Sequence, residues 1–328
     1  MIYLDYHATT PVDPRVAAKV LQAMTTDFGN ASSLDHAGGD RAEAAIKTAT
    51  QHVAALVGAT PREIIFTSGA TESINLAIQG TVNHLENQKI RPHIALSAVE
   101  HKAVLDTCYA LQAQGRIKLA ILPVDHQARL DLAALEATCA QGLDLLCIMA
   151  ANNEVGTIYP IEHIAAIAQR YNVPFFCDAA QAVGKIPIRF NDWGITLLSL
   201  SAHKLYGPQG VGALVVQQGH ALAPLLYGGG QQRGLRPGTL NLPGIVGLGE
   251  ACRLRAVEMA ADEPAIGTQR DRLQARLLAQ IPGLVVNGDQ AHRLTGNLHI
   301  TVPGVPNRAL IARVRHKLAI SPGSACSS

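Results

Sequence analysis

Residues 63–98 read "EIIFTSGATESINLAIQGTVNHLENQKIRPHIALSA", in which two short apolar runs flank one helical pattern. The runs "EIIFTSG" and "HIALSA" have the length of buried strands, whereas "ESINLAIQGTVNHL" repeats its apolar residues at helical spacing. A strand, a helix and a second strand in this order are typical of a mainly parallel sheet covered by helices. The stretch therefore predicts an α/β fold.

The same alternation continues on both sides of this stretch. Further strand-length runs are "LAILPV", "LLCIMA", "VPFFCDA", "TLLSLSA" and "GALVV", and patterns such as "IEHIAAIAQRY" separate several of them. Upstream, "DPRVAAKVLQAM" begins a helix with Asp13 as N-cap and Pro14 in the first turn, and a second helix ends at Gly58. Together these runs predict a mainly parallel seven-stranded sheet in a large domain.

The pattern changes after about residue 234. A long helical region at 243–280 precedes the runs "LVVNG" and "NLHITV" and the helical pattern "NRALIARVRHKL". We expect a smaller α/β domain made of 1–15 and 235–328, and a large domain made of 16–234.

Composition and charge narrow the class of protein. The 328 residues are 48% hydrophobic and 16% charged, which is typical of a well-packed, enzyme-like protein and not of a disordered one. The 27 Lys and Arg against 25 Asp and Glu are too balanced to indicate nucleic acid or an anionic membrane as the main partner. No apolar run reaches the ~18 residues of a membrane-spanning helix, and the first residues show no leader pattern. We expect a cytoplasmic protein.

The six cysteines are Cys108, Cys139, Cys147, Cys177, Cys252 and Cys326. Their scattered positions, with no CxxC pair, indicate a reducing compartment, and we expect no metal site. Most lie in apolar runs, where a cysteine is usually a small buried hydrophobe. Cys326 differs because it lies in "SPGSACSS" among small residues, which predicts an accessible thiol on a mobile loop.

Ligands of such sheets bind beyond the carboxyl ends of the strands, so polar residues at those points are candidates. The first place is "FTSGATES", where the turn Ser68-Gly69-Ala70-Thr71 precedes a helix. Free N–H groups and the helix dipole make such a turn a phosphate cradle, to which the Thr71 hydroxyl adds a donor. The alternative is an ordinary turn that Thr71 caps.

Two further places follow the apolar runs "HIALSA" and "LLCIMA". His101 in "SAVEHKAV" can stack on a flat ligand or move a proton, or it is only the first residue of a helix. Asn152, Asn153 and Glu154 in "MAANNEVG" contact a ligand, or they satisfy the backbone of their loop.

The last two places carry opposite charges. Asp178 ends the apolar run "VPFFCDA" and needs a cation such as a pyridinium N–H, which Gln181 can accompany; alternatively it caps a backbone turn. Lys204 ends the run "LSLSAHK" before a Gly/Pro turn and can form a Schiff base with an aldehyde, unless it is a surface lysine. The five places together match pyridoxal 5′-phosphate.

Motifs of one known family occur in order over nearly the whole chain. They are "YLDYHATTP", "FGNASSLDHAGG", "GATESIN", "VEHKAV", "NNEVGT", "DAAQAVGK", "SAHKLYGPQGVGAL", "RGLRPGTLN" and "GSAC". With them the chain resembles the cysteine desulfurases that serve iron–sulfur cluster assembly, in the class V aminotransferases of fold type I. The short "GSAC" segment is similar to that branch and not to the one with a His-rich cysteine segment.

The resemblance implies a role for each matching residue. The roles are Lys204 as the Schiff-base lysine, His101 for stacking and proton transfer, Asp178 at the pyridinium nitrogen, Gln181 at the phenolic oxygen, Asn153 near that oxygen and the substrate, and Ala70, Thr71, Ser201 and His203 around the phosphate. Thr239 reaches the phosphate of the neighbouring subunit, which implies a homodimer with shared sites.

The resemblance also implies the reaction. L-cysteine is converted to L-alanine, and Cys326 takes the sulfur as a persulfide and passes it to an acceptor or scaffold protein. Members of the family continue for some tens of residues past this cysteine, and that tail supplies an arginine for the substrate carboxylate. We therefore expect that the chain is truncated or that the sequence omits a further part.

Other functions stay open at this point. A selenocysteine lyase or an aminotransferase of the same superfamily would share the cofactor residues, although Cys326 favours the desulfurase. A protein that ends at Ser328 could instead be a catalytically impaired docking protein that binds the cofactor. Release of alanine from cysteine separates that function from the enzyme.

Overall fold

The computed structural model describes residues 1–33 and 35–322, and its elements follow the predicted alternation. The strands are β1 Ile2–Tyr3, β2 Ile64–Thr67, β3 His93–Ser97, β4 Lys118–Leu122, β5 Leu145–Cys147, β6 Phe175–Asp178, β7 Leu197–Ser201, β8 Gly212–Val216, β9 Val285–Val286, β10 Ile300–Thr301 and β11 Leu318–Ala319. The α-helices are α1 Pro14–Thr25, α2 Ala37–Val57, α3 Ala70–Asn87, α4 Lys102–Ala113, α5 Leu132–Cys139, α6 Ile161–Arg170, α7 Phe190–Trp193, α8 Leu242–Gln280 and α9 Asn307–Val314.

Strands β2 to β8 form one sheet in the order β2-β8-β7-β6-β5-β3-β4. Strand β8 runs antiparallel to both of its neighbours, β2 and β7, and the other adjacent pairs are parallel. Because β2 and β7 both oppose β8, all strands of this sheet except β8 point the same way. The mainly parallel seven-stranded sheet is confirmed for the described residues. The strands of the 63–98 stretch are not neighbours, since four other strands separate β2 from β3.

The sheet has an apolar core on each face. Alternate residues of one strand enter different cores, as Ile94 and Leu96 of β3 do on one face and Ala95 on the other. Helices α3 and α4 cover the first face, and α2, α5, α6 and α8 cover the second. The sheet is therefore buried on both sides, as parallel sheets require.

The helix ends follow the sequence signals. Asp13 caps α1 by accepting a hydrogen bond from the backbone N–H of Arg15, and Pro14 is the first residue of the helix. Gly58 ends α2 with a φ of +68°, a left-handed conformation that glycine adopts without strain. The predicted long helical region is α8, which contains Pro264 and packs against α1 and α2.

Strands outside the main sheet link the two ends of the described chain. Strand β1 pairs in parallel with β11, and β9 pairs antiparallel with β10. The division into 1–15 with 235–328 and 16–234 stays a prediction. None of the helices that the structure describes is both long and apolar enough to cross a membrane.

Candidate active site

The five places singled out in the sequence lie at one edge of the sheet. Strands β2, β3, β5, β6 and β7 point the same way, so the residues that follow them meet at their shared carboxyl edge. These residues are Ser68 to Thr71 after β2, His101 after β3, Asn152 and Asn153 after β5, Asp178 at the end of β6, and Ser201 to Lys204 at the end of β7.

The turn after β2 has the geometry of an anion cradle. The first hydrogen bond of α3 runs from Ser73 N to Gly69 O over 3.1 Å, so the amides of Ala70, Thr71 and Glu72 precede it and point out of the helix start. A Cβ placed on Gly69 would lie 3.8 Å from Ser201 Oγ, so the buried Ser201 hydroxyl lies beside the turn. Within the described chain Gly69 is the N-cap of α3 and no side chain caps the helix. The alternative in which Thr71 caps the turn is therefore wrong.

Asp178 is held at the end of β6 with only 5% of its surface exposed. Its Oδ1 accepts hydrogen bonds from Ser199 Oγ at 2.8 Å and from Ala180 N at 3.1 Å. Among the described residues both bonds to this carboxylate end on Oδ1, so Oδ2 is the oxygen available to a ligand. The turn-capping contact does occur, and it leaves room for the predicted contact with a cation.

Gln181 and Lys204 share one backbone acceptor. The Gln181 Nε2 donates to the His7 carbonyl at 2.9 Å, and the amine of Lys204 donates to that same carbonyl and to the Ala8 carbonyl at 2.9 Å. Lys204 ends a short 3-10 turn that follows β7. A lysine held by two backbone carbonyls is not a surface lysine, and that alternative is wrong.

The N-terminal segment 7–10 also holds the neighbour of this lysine. The His203 Nδ1 lies 3.1 Å from Thr9 Oγ1, and the His203 carbonyl accepts from Thr10 N and Thr10 Oγ1. Burial, and then the charges of Lys204 and Lys185, lower the pKa of His203 to about 4. His203 is therefore a neutral imidazole near neutral pH.

His7 is a second neutral imidazole in the site. Burial, followed by the charges of Lys185 and Lys204, lowers its pKa to about 3, against a backbone hydrogen bond with Asn153 that raises it. Its Nδ1 is buried without a hydrogen-bond partner in the described part of the chain. A buried acceptor of this kind is expected to meet a ligand or water.

His101 serves as the N-cap of α4. Its Nδ1 accepts from Ala103 N at 3.1 Å, so in the neutral ring the proton lies on Nε2. The alternative of a helix-start residue is therefore met, and the ring still lies at the carboxyl edge. The two asparagines differ, because Asn152 Oδ1 accepts from the backbone of Glu154 and Val155 and so orders its loop. Asn153 is the half-buried one.

Thr239 and Cys326 complete the sequence-predicted set. Thr239 lines a cavity of about 230 Å³ together with Thr67 and Ser68 of its own chain. Cys326 lies outside the described residues. The other cysteines are free and buried, as predicted. No group of three or more His, Cys, Asp or Glu side chains in the described ranges could hold a metal ion.

These residues fit pyridoxal 5′-phosphate. The helix start and the Ser201 hydroxyl suit its phosphate, Asp178 Oδ2 suits its ring nitrogen, and the lysine amine suits its aldehyde. Sequence reasoning assigned no role to His7 and Ala8, whose carbonyls hold Lys204, or to Lys185, whose Nζ donates to Gln181 Oε1 at 3.0 Å. The motifs "YLDYHATTP" and "DAAQAVGK" marked these residues, but backbone acceptors leave no signal in residue type.

Comparison with known proteins adds an independent observation. The family described as aminotransferase class-V matches residues 2–328. A protein of Anaeromyxobacter sp. (strain Fw109-5) named cysteine desulfurase IscS is 46% identical over 329 aligned positions, which cover 100% of this chain and 80% of that protein.

Solved structures agree with this similarity. A NifS-like protein superposes with a TM-score of 0.92 and 35% identity, over 96% of this chain and 85% of that one. A structure described as SspA in complex with cysteine superposes with a TM-score of 0.86 and 35% identity, over 99% of this chain and 90% of that one. Fold and sequence thus point to the same group of proteins.

Proposed function

This chain belongs to the class-V aminotransferase family, and from that membership we propose that it is a pyridoxal 5′-phosphate-dependent cysteine desulfurase. The membership confirms the family predicted from the sequence. The observation that carries the proposal is the Lys204 amine, held by two backbone carbonyls at the sheet edge that also carries Asp178 and the cradle.

Bound pyridoxal 5′-phosphate supplies an electron sink for loss of the α-proton of an amino acid. Lys204 would be the amine that holds the cofactor, and once released from it that amine would be the base for this proton. The Asp178 carboxylate would favour a protonated, positively charged ring nitrogen. That charge would in turn offset the free-energy cost of burying the carboxylate. Ala70, Thr71, Ser201 and His203 hold the phosphate.

The remaining residues act on the substrate side of the cofactor. His101 stacks and moves protons through Nε2, Gln181 donates to the phenolic oxygen, and Asn153 lies near the substrate. These roles are supported by the positions of the three residues at the carboxyl edge.

Sulfur transfer is the step that distinguishes a desulfurase from its superfamily. The Cys326 thiolate attacks the sulfur of L-cysteine, an S–S bond forms and the substrate C–S bond breaks. The electron pair of that bond stays with carbon, which takes a proton, so L-alanine leaves and Cys326 keeps a persulfide. The relative solved with cysteine supports the choice of substrate.

The biological setting extends the proposal. The persulfide passes to an acceptor or scaffold protein for iron–sulfur cluster assembly, a role supported by the IscS names of the relatives. The protein acts as a homodimer in which Thr239 reaches the partner's site. The cytoplasmic compartment stays a prediction from composition.

The direct test measures alanine formed from L-cysteine by protein loaded with pyridoxal 5′-phosphate. We expect alanine in catalytic amounts, loss of alanine in Lys204→Ala, and no persulfide in Cys326→Ser, which still binds the cofactor. Lys118→Ala removes an exposed lysine of β4 and should behave as the wild type. In protein that includes the expected segment after Ser328, bound cofactor without any alanine would reject the desulfurase, and alanine release by Cys326→Ser would reject the sulfur route.

A further inference from the structure

A second lysine lies inside the same site. Lys185 follows Gln181 by four residues in the turn after β6, and its Nζ donates to Gln181 Oε1 at 3.0 Å. This lysine is partly buried. None of the roles above uses it.

The contact of Lys185 settles which end of the Gln181 amide points where. An amide carries an acceptor at one end and a donor at the other, and an ammonium group can only donate. With Oε1 facing Lys185, Nε2 must face the opposite way, where it donates to the His7 carbonyl at 2.9 Å. The reversed amide would place its N–H₂ group against the protonated Lys185 amine and its carbonyl oxygen against the His7 carbonyl oxygen.

The orientation of the Gln181 amide matters because its Nε2 end lies beside Lys204, which contacts the same carbonyl. The His7 carbonyl that accepts from Gln181 also accepts from the Lys204 amine. Lys185, Gln181, His7 and Lys204 thus form one hydrogen-bonded chain. An anionic ligand oxygen that enters beside Lys204 then meets the N–H end of the amide and not its carbonyl.

The position of Lys185 is electrostatically costly. Burial, and then the charge of Lys204, lower the pKa of Lys185 to about 7. Arg255 of α8 lowers that pKa further, and Glu263 of the same helix raises it. The charge of Lys185 in turn lowers the pKa of His7 and that of His203. Each of the two nearby lysines disfavours the charged form of the other.

We propose that Lys185 is a positioning residue of the site, which acts through Gln181 and keeps its N–H end directed toward the ligand position beside Lys204. The inference rests on the proposed function for the identity of the ligand. The orientation of the amide itself can be measured without any cofactor.

The first experiment titrates apoprotein with pyridoxal 5′-phosphate and records the visible spectrum of the loaded protein. Lys185→Met keeps the length of the side chain and removes the donor. We expect about tenfold weaker cofactor binding, as for one lost charge-assisted hydrogen bond, and a shifted absorption maximum. Lys185→Arg keeps a donor and should restore the spectrum, and Lys118→Met is the matched control on the surface.

A double-mutant cycle separates action through Gln181 from direct action on the cofactor. In Gln181→Ala protein the amide is gone, so adding Lys185→Met should change neither affinity nor spectrum. If the full effect of Lys185→Met persists in that background, or if Lys185→Met alone changes nothing, the proposal is overturned.

The second experiment uses unliganded protein and distinguishes failure of this inference from failure of the proposed function. In protein labelled with ¹⁵N at glutamine, the side-chain resonances of Gln181 are identified by their loss in Gln181→Ala. We expect one sharp N–H₂ pair in the wild type and a broadened or doubled pair in Lys185→Met. An unchanged pair would sink the inference even if the cofactor binds. A wild type that binds no cofactor would sink the proposed function, and the amide resonances would still decide the orientation.

Discussion

Among single residues, Glu100 connects two of the strands that carry the site. Glu100 directly precedes His101. Its Oε1 accepts from Ser97 Oγ at 2.6 Å and from Met149 N at 2.9 Å, so it connects the end of β3 to the segment after β5. Its Oε2 is buried without a partner among the described residues. Burial raises the pKa of this carboxyl to about 8, the charge of Asp178 adds to that rise, and the two hydrogen bonds oppose it.

This raised pKa predicts a pH dependence of stability. Between pH 4.5 and about 8 the folded protein holds a proton on Glu100 that the unfolded chain releases. The contribution is therefore complete below pH 4.5 and is lost as the pH rises through 8. The free-energy difference of unfolding between wild type and Glu100→Gln should fall across this window, by up to ~1.4 kcal/mol per pH unit. Urea unfolding at a series of pH values measures it.

The control for this experiment is Glu43→Gln, which changes an exposed carboxyl of α2. Its difference from wild type should stay level over the same pH range. A level difference for Glu100→Gln as well would mean that Glu100 is ionised in the folded protein throughout.

Residue types predicted the side chains of the site better than their partners. Asp178 and Gln181 lie three apart at the end of an apolar run, so their shared edge could be read from spacing. The acceptors of Lys204 could not be predicted, because they are carbonyls of residues 7 and 8, almost two hundred positions away. Arg255 of α8 donates to the Gly184 carbonyl beside Lys185, a contact between distant segments that no local pattern shows.

Among the elements, β8 lies close to the backbone of the cradle. Gly212 begins β8 between Thr67 of β2 and Ser201 of β7. A Cβ at this position would lie 2.5 Å from the Leu200 carbonyl oxygen and 2.8 Å from Gly69 Cα. Both are backbone atoms, so the sheet and the cradle would have to separate. The glycine is required by close approach.

Gly212→Ala should therefore harm both stability and cofactor binding. We expect a loss of about 1–3 kcal/mol in the free energy of unfolding, as for other overpacked sites, and weaker binding of pyridoxal 5′-phosphate. Gly230→Ala is the matched control, because its Cβ would meet no atom of the described chain within 4 Å and its φ is −81°. Thermal unfolding and cofactor titration measure the two effects. Equal behaviour of the two variants would contradict the close approach.

The sequence predicted the strands but not their order. Apolar runs mark each strand of the main sheet, whereas order depends on contacts between distant segments. The reversal of β8 did have a signal. Only residues 202–211 join β7 to β8, and a parallel neighbour needs a crossover of a dozen residues or more. The pairing of β2 with β8 at the edge of the sheet had no such signal, because residues 68–211 separate the two strands in the sequence.

For the whole molecule, the described contacts show how the N-terminal segment connects distant parts. Residues 7–10 hold the Lys204 turn, while β1, which is separated from them by three residues, pairs with β11 near the other end of the described chain. The site therefore depends on residues from both ends of the sequence. Such a site forms only when the long-range contacts do.

The loop that carries Thr239 is anchored to its own chain. The Gln232 side chain accepts from Phe66 N and donates to Phe66 O, which pairs it with the outer edge of β2. Arg236 bonds Glu72 in the first turn of α3, with Nε to Oε1 at 2.8 Å. Thr239 thus borders the cradle of its own subunit, whereas the family resemblance predicts that it reaches the partner's site.

Mixed dimers distinguish these two alternatives. We combine a Lys204→Ala chain with a Thr239→Ala chain and measure alanine formation by the isolated heterodimer. If Thr239 acts across the interface, one site carries both lesions and the other carries neither, so the heterodimer should regain about half of the wild-type activity. If Thr239 acts within its own chain, each site carries one lesion, and activity should not exceed half that of the Thr239→Ala homodimer. The second result would reject the shared site and assign Thr239 to the cradle that it borders.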